Sequence, residues 1–220
     1  MVSAVIFDMD GVLIDSEPLW RMAEIKAFSH VNLSLNDEMC RQTTGLRVDE
    51  VVEYWYEKFP WKNTTKKEVE EKIWESIIHL VKTEGTAKEG VYESLAFIKK
   101  QNVKLALAST SAMILINTVV EKLQLKDYFE VMCSAEFEKY GKPHPDIYIS
   151  TAQQLNVHPS YCLAIEDSIN GIIAAKAAKM KCIAIPDEIL REDKRFGIAD
   201  VTLSSLREIN QALWASFTKS

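Results

Sequence analysis

The stretch Val5–Val12, VIFDMDGV, decides the fold of this 220-residue chain. An apolar run that begins at Ala4 ends in two aspartates, Asp8 and Asp10, with one residue between them. A run that is apolar at every position is typical of a parallel strand covered on both faces of its sheet. Aspartate is also common where a strand turns. The pair therefore needs partners elsewhere in the sequence before it indicates chemistry.

Five further apolar runs predict strands, and segments of helical periodicity separate them. These runs are Val103–Ala108, Val131–Ser134, Cys162–Ile165, Cys182–Ile185 and Val201–Leu203. Strands that alternate with helices are typical of βαβ units and a parallel sheet. We therefore predict an α/β fold with a Rossmann-like parallel sheet core flanked by helices.

The alternation is interrupted between Ser16 and Thr83, where no segment predicts a strand. Three helices are predicted there instead, over Glu17–Ser29, Arg47–Phe59 and Lys66–Val81. Ser16 is a plausible N-cap for the first of them, and a proline ends the second. We interpret residues 16–83 as an inserted all-helical cap domain, and residues 1–15 and 84–220 as the α/β core.

Composition limits the classes of function. The net charge of -6 disfavours nucleic acid as a partner, because phosphate backbones select basic surfaces. No window approaches the about 20 apolar residues of a membrane span, and no signal peptide is apparent. The cysteines are widely spaced, and we expect Cys40, Cys133, Cys162 and Cys182 to be buried and reduced. We expect a cytoplasmic monomer without nucleic-acid or membrane partners.

Polar residues that could carry chemistry follow four predicted strands, where ligands bind to open parallel sheets. They are Asp8 and Asp10, Ser109-Thr110-Ser111, Lys142, and Glu166-Asp167. Acids that converge in one crevice repel each other, and a hard cation such as Mg²⁺ removes that repulsion. The lysine and the hydroxyl groups suit phosphate oxygens. So do the backbone N–H groups of the helix that the trio 109–111 is expected to open.

Together these groups indicate phosphoryl transfer. A carboxylate can attack phosphorus to form an aspartyl-phosphate, which splits one difficult step into two. The cation and Lys142 would offset the repulsion between the attacking carboxylate and the phosphate. A second acid is needed to protonate the leaving oxygen and later to activate water.

Four short motifs, in this order and at strand ends, resemble those of the haloacid dehalogenase superfamily phosphatases. They are Phe7–Val12, Ser109 after a strand, Lys142 within Gly141–Asp146, and Glu166–Gly171. The resemblance covers essentially the whole chain. The helical insertion resembles the mobile cap of this superfamily.

The resemblance implies a Mg²⁺ site and a division of labour between the acids. Asp8 would be the nucleophile and a metal ligand, and Asp10 the general acid/base with its backbone carbonyl also on the metal. Asp167 would be the main distal metal ligand, supported by Glu166 directly or through water. The phosphate-binding residues implied by the same motifs are Ser109, Thr110 and Lys142.

Residues of the cap resemble those of the hexitol and 2-deoxyglucose-6-phosphate phosphatases. The residues expected to face the substrate are Glu17, Trp20 and Arg47. Members of the superfamily that dehalogenate acids lack the second aspartate, so Asp10 favours phosphate chemistry. Sugar-phosphate mutases carry a histidine where this chain has Trp20, which argues against mutase activity.

We therefore predict a Mg²⁺-dependent phosphatase of small sugar or polyol phosphates, of the hexose or hexitol 6-phosphate type. One alternative is a sugar phosphomutase similar to β-phosphoglucomutase, and another is a phosphatase of a different small metabolite such as phosphoglycolate. A third is a phosphate sensor without activity, although binding alone would not need Asp10.

Overall fold

A six-stranded parallel sheet forms the centre of the computed structural model, which describes residues 2–218. The strands are β1 (Ala4–Phe7), β2 (Lys104–Ser109), β3 (Val131–Ser134), β4 (Cys162–Glu166), β5 (Lys181–Ala184) and β6 (Val201–Thr202). Their order is β3-β2-β1-β4-β5-β6, so the strand order reverses between β1 and β4. The predicted α/β fold is confirmed, and each strand end lies within one residue of its prediction.

Nine α-helices are described in residues 2–218. They are α1 (Glu17–Ser29), α2 (Asp37–Arg41), α3 (Val48–Lys58), α4 (Lys66–Glu84), α5 (Val91–Lys99), α6 (Met113–Lys122), α7 (Asp146–Gln154), α8 (Ile169–Ala177) and α9 (Gln211–Thr218). The first four lie between β1 and the helix that precedes β2, and the others pack on the sheet. None of the helices in this part of the chain is long and apolar enough to cross a membrane.

Side chains alternate between the two faces of the sheet, and the faces differ in size. On β2, Leu105 and Leu107 join an apolar cluster with α5, α6 and α9, whereas Ala106 and Ala108 face α7 and α8. Both sets are buried, as expected for a strand covered on both sides. The small side chains leave room for α7 and α8 to lie close to the strands that carry the site.

The inserted helices have an apolar cluster of their own, which includes Phe28, Trp55 and Trp61. The three predicted helices are present, and the sequence did not predict α2. This helix is only five residues long, so it is too short to show a repeating apolar face. Its N-cap is Asn36, whose side chain accepts a hydrogen bond from the Met39 N–H at 2.9 Å.

Two segments connect the inserted helices to the rest of the chain, and they run side by side. The Asp15 N–H donates to the Thr86 carbonyl at 3.0 Å, and Ile14 pairs with Ala87 in an isolated bridge. Beyond these segments, α1 and α4 run through two apolar clusters. Their ends near the sheet join the main cluster, and their far ends join the cluster of the insertion. The boundaries at residues 16 and 83 stay a prediction, and α4 itself ends at Glu84.

The four cysteines are buried and free, as predicted for this part of the chain. Burial raises the pKa of the Cys162 thiol to about 11. A thiol with so high a pKa is protonated and unreactive at neutral pH. We assign the cysteines to core packing.

Candidate active site

The predicted acids meet where the strand order reverses. Asp8 directly follows β1, and its backbone N–H donates to the Ile165 carbonyl of β4 at 2.9 Å. Glu166 is the last residue of β4, so the neighbouring strands deliver both carboxylates to one edge. Carboxylate oxygens of Asp8, Glu166 and Asp167 all lie within 4.8 Å of one another.

Lys142 lies among these acids, and its side chain is only 4% exposed. Its ammonium donates to Asp8 Oδ1 at 2.6 Å, to Glu166 Oε1 at 2.6 Å and to the Ala108 carbonyl at 3.2 Å. An ammonium has three protons to donate, so every one of them is directed at a protein acceptor. Lys142 thereby ties the loop after β3 to the ends of β1, β2 and β4.

The charges of this cluster do not balance. Burial raises the pKa of Asp8 to about 8; the charge of Lys142 opposes this shift, and Glu166 and Asp10 reinforce it. Burial also raises the pKa of Asp167 well above its ordinary value, and Asp8 and Glu166 add to the shift. Burial lowers the pKa of Lys142, but the two carboxylates outweigh it and the net shift is upward.

The contact of 2.6 Å between Lys142 and Asp8 fits an ionised pair, although both pKa values are raised. Burial is the main cause of the raised pKa of Asp8, the charge of Lys142 opposes it, and we take the Asp8 carboxylate as ionised in this pair. Three carboxylates face one ammonium, which leaves two negative charges without a counter-charge. A divalent cation bound by oxygen ligands, such as Mg²⁺, fits that deficit.

Two glycines make room for the acids. Gly11 has a φ of 72°, and a Cβ atom at that position would lie 1.8 Å from Asp167 Oδ2. A Cβ atom on Gly171 would lie 2.0 Å from the Glu166 carboxylate. Each carboxylate thus occupies the space that the Cβ atom of any residue other than glycine would fill at these two positions. The donor set of Asp8, Glu166 and Asp167 is packed closely enough to hold a small cation.

Asp10 lies beside this cluster and accepts four hydrogen bonds. Its Oδ1 accepts from Ser16 Oγ at 2.6 Å and from Trp20 Nε1 at 2.9 Å. Its Oδ2 accepts from Ser111 Oγ at 2.8 Å and from Ser109 Oγ at 3.4 Å. Trp20 belongs to α1, and Ser16 directly precedes that helix. The position of the Asp10 carboxylate therefore depends on the inserted helices as well as on the sheet.

One expectation about helix starts was wrong, and the other was confirmed in position only. The trio 109–111 does not open a helix, because α6 begins at Met113 after the N-cap Ala112. Ser16 does occupy the N-cap position of α1, but its side chain makes no capping hydrogen bond. In both places a serine hydroxyl donates to Asp10 instead, and a hydrogen bond to a charged acceptor is about twice as strong as a neutral one.

The predicted phosphate-binding residues take different positions. Ser109 is fully buried at the end of β2, and its hydroxyl accepts from the Ser111 N–H at 3.0 Å. Thr110 and Ser111 line a cavity together with Lys142. The structure thus brings Thr110 and Lys142 to the cavity wall and places Ser109 beneath it.

The predicted substrate residues of the cap line this same cavity. Burial raises the pKa of Glu17 and Asp10 adds to the shift, whereas Arg21, with its guanidinium 3.5 Å away, opposes it. Arg47 donates from Nε to Asp49 Oδ1 at 3.0 Å. The predicted residues that share the cavity are Asp8, Asp10, Glu17, Trp20, Arg47, Thr110, Lys142 and Asp167.

Sequence reasoning missed two residues of the site, Ser16 and Tyr148, and named Ser111 only as part of the hydroxyl trio. Tyr148 is fully buried in α7, and its hydroxyl donates to Glu166 Oε1 at 2.5 Å. Its ring also lies 5.1 Å from the Lys142 ammonium. Ser111 stands in a trio that the sequence singled out, whereas no pattern in the sequence pointed to Tyr148.

Comparisons with known proteins identify a family and similar proteins for this chain. Residues 5–185 match the profile of the family described as haloacid dehalogenase-like hydrolase. The chain is 43% identical over 210 residues to hexitol phosphatase B of Escherichia coli (strain K12), a match that covers 94% of each chain. It is 34% identical to the phosphorylated carbohydrates phosphatase of Thermotoga maritima, over 83% of this chain and 84% of that one.

A similar solved structure is that of CbbY from Rhodobacter sphaeroides in complex with phosphate. The TM-score is 0.87 and the sequence identity 26%, and the match covers 96% of this chain and 97% of that one. The fold and the sequence therefore point to the same group of proteins.

Proposed function

The chain belongs to the haloacid dehalogenase-like hydrolases and is a phosphatase, and we propose that it hydrolyses sugar or polyol phosphates of the hexose or hexitol 6-phosphate type. We further propose that it requires Mg²⁺ and works through an aspartyl-phosphate. One observation carries the proposal: Lys142 joins Asp8 to Glu166 at 2.6 Å each, beside the second aspartate of the same motif.

Asp8 is the proposed nucleophile. Its Oδ1 is held by Lys142, which leaves Oδ2 to attack phosphorus while the bond to the leaving oxygen breaks. The product of this step is an acyl phosphate on Asp8, which water then hydrolyses. Lys142 stabilises the charge that develops between the carboxylate and the phosphoryl oxygens, because it is buried and already oriented.

Asp10 is the proposed general acid and base. It gives a proton to the leaving alcohol in the first step and takes one from the attacking water in the second. Its four hydrogen-bond donors fix the carboxylate in place. Trp20, one of these donors, also lines the cavity.

The proposed Mg²⁺ ligands are Asp8, Asp167 and Glu166, with the backbone carbonyl of Asp10 implied by the family resemblance. When bound, the ion neutralises charge on the transferring phosphoryl group. Glu166 Oε1 already accepts from Lys142 and Tyr148, so its contact with the metal would use Oε2 or pass through water.

We expect Ser109, Thr110 and Lys142 to hold the phosphoryl group. Thr110 lines the cavity and is in place for this role. Ser109 and Lys142 would exchange one of their present hydrogen bonds for a phosphate oxygen.

The substrate class rests on the relatives and on the chemistry of the cap. The two curated relatives are named for hexitol and phosphorylated carbohydrate substrates. The cap contributes Glu17 and Arg47 to the cavity, and such groups can form hydrogen bonds with a polyol. A cavity that carries charged groups of both signs suits a hydroxylated substrate better than an apolar one.

The test is phosphate release from a panel of sugar and polyol phosphates, with and without Mg²⁺, for the wild type and for Asp8→Asn. We expect Mg²⁺-dependent release from hexose or hexitol 6-phosphates and its loss in Asp8→Asn. Asp127→Asn, a change at an exposed aspartate, is the matched control and should keep full activity. Substantial turnover by Asp8→Asn would refute the assignment of Asp8 as the nucleophile.

The panel also separates a phosphomutase from a phosphatase. A sugar 1-phosphate converted to the 6-phosphate without free phosphate would indicate a mutase. In the position where the sugar-phosphate mutases carry a histidine, this chain has Trp20, whose indole N–H donates to Asp10. This difference favours hydrolysis over the mutase reaction.

A further inference from the structure

Glu24 is a buried acid whose carboxylate is not fully satisfied. The residue is 8% exposed, and its Oε2 makes no hydrogen bond. Among the described residues, the other buried side-chain atoms without a partner are the indole nitrogens of Trp55 and Trp61. Of these three side chains, only Glu24 lines the active-site cavity. An unpaired buried acceptor is costly unless a ligand supplies the donor.

The register of α1 places Glu24 in line with the catalytic end of the cavity. Glu17, Trp20 and Glu24 are spaced by three and four residues, so they share one face of the helix. Trp20 donates to Asp10 at 2.9 Å, and Glu24 is four residues further on. That spacing corresponds to about 6 Å along the helix axis. Glu24 therefore faces the cavity beyond the group that protonates the leaving oxygen.

The neighbours of Glu24 do not neutralise it. Arg21 lies 3.5 Å from Glu17 and 3.6 Å from Asp37, with which it forms ion pairs. Cys40 lowers the pKa of Glu24, and the pKa of its own thiol is raised to about 12, so the thiol stays neutral beside the carboxylate. The cavity that Glu24 lines also has apolar side chains in its wall, among them Val51 and Ile73. One buried carboxylate oxygen without a hydrogen-bond partner thus belongs to a residue that lines the cavity.

We infer that Glu24 is a specificity-determining residue that accepts hydrogen bonds from hydroxyl groups of the substrate's carbon chain, at the end remote from the phosphate. This inference rests on the proposed function. A hydroxyl group that reaches Oε2 would satisfy it, whereas a shorter leaving group would leave it unpaired. Glu24 would in this way favour long polyol and sugar phosphates over short ones.

The experiment compares kcat/KM for sorbitol 6-phosphate, a six-carbon substrate, with kcat/KM for glycerol 1-phosphate, which is half as long. The proteins are the wild type, Glu24→Gln and Glu24→Leu. For Glu24→Leu we expect a loss of about 10- to 100-fold on the long substrate, the range of a hydrogen bond to a charged group. On the short substrate the change should stay within about twofold, because no contact with Glu24 is lost.

Glu24→Gln keeps one acceptor, so its loss on the long substrate should be intermediate. It also keeps the shape of the side chain, which preserves the test if Glu24→Leu folds poorly. Glu71→Leu, at an exposed position of α4, is the matched control and should leave both substrates unaffected.

The outcomes separate this inference from the proposed function. Equal losses on both substrates, or no loss on the long one, would overturn the role of Glu24 while wild-type activity upholds the proposed function. A wild type that hydrolyses neither substrate nor any other sugar or polyol phosphate would overturn the proposed function itself, and the inference with it.

Discussion

Replacement of Glu24 by glutamine should change how the stability of the protein depends on pH. Burial raises the pKa of the Glu24 carboxyl to about 7, from an ordinary value of 4.5. The hydrogen bond from Cys40 and the charge of Arg21 oppose this shift, whereas the charge of Glu17 adds to it. Glutamine has nearly the same shape and does not titrate. The variant therefore isolates the free energy of ionising this one group inside the protein.

The size of the expected change in unfolding free energy follows from the pKa shift of Glu24. One pKa unit corresponds to about 1.4 kcal/mol, so the upward shift of Glu24 corresponds to about 3 kcal/mol. Because the pKa is raised in the folded state, the folded protein favours the protonated form. This contribution to stability is complete below about pH 4.5 and is lost as the pH rises through about 7. Relative to Glu24→Gln, the wild type should lose about 3 kcal/mol of unfolding free energy across that range.

The assay is urea unfolding of both proteins, without metal ions, at several values between about pH 5 and pH 8. The difference between the two free energies removes the contribution of every group that they share, including Asp8 and Asp167. We expect Glu24→Gln to gain stability over the wild type as the pH rises. The control is Glu71→Gln, at an exposed position, whose difference from the wild type should stay constant. A difference for Glu24→Gln that varies by less than about 0.5 kcal/mol would refute the reasoning, because surface changes reach that size.

Three more predictions concern the catalytic centre. Trp20→Phe removes the indole N–H that donates to Asp10 at 2.9 Å. Because a hydrogen bond to a charged group contributes about 1.5 kcal/mol or more, kcat should fall about tenfold in steady-state assays. An unchanged kcat would contradict this prediction. Gly171→Ala places a Cβ atom 2.0 Å from the Glu166 carboxylate and should lower the unfolding free energy by about 2 kcal/mol. Gly197→Ala is its control, because a Cβ atom there meets nothing within 4 Å. Mg²⁺ at about 100 times its dissociation constant should stabilise the metal-free protein by about 2.7 kcal/mol, or about 5–10 °C in the midpoint of thermal unfolding. A midpoint that does not change when Mg²⁺ is added to the chelator-treated protein would contradict the proposed metal site.

The central strands could be predicted from the sequence because they are buried on both faces. A strand such as β1 is apolar at all four of its positions, so it stands out in a chain with 26% charged residues. The order of the strands was not predicted, since apolar runs alone do not say which strands are neighbours. The five-residue helix α2 carries too few residues to show a period. Its signal was the capping residue Asn36 rather than an apolar face.

The acids and the lysine of the site could be predicted because a parallel sheet collects strand ends at one edge. Asp8, Lys142 and Glu166 come from positions far apart in sequence, and they meet within hydrogen-bond distance. Their remaining partners could not be predicted in the same way. Tyr148 reaches Glu166 because α7 packs on a face of small side chains, which is a property of the packed structure. Ser16 was expected to cap a helix, and only the folded chain shows that its hydroxyl has a charged acceptor nearby.

In the proposed mechanism, the inserted helix α1 links recognition of the substrate to proton transfer. Helix α1 carries Trp20 and Glu24, and Ser16 directly precedes it. Trp20 and Ser16 are the two residues that donate to Asp10 Oδ1. A rigid helix moves these groups together, so a displacement of α1 that withdraws Glu24 from the cavity also withdraws donors from the acid. Glu24 retains an unpaired buried oxygen, which costs stability when no ligand is bound. A hydroxylated chain that pairs with it would favour the placement of α1 in which Asp10 is fully held. The unpaired oxygen of Glu24 would then favour long substrates, because a leaving group too short to reach Glu24 does not stabilise this placement of α1.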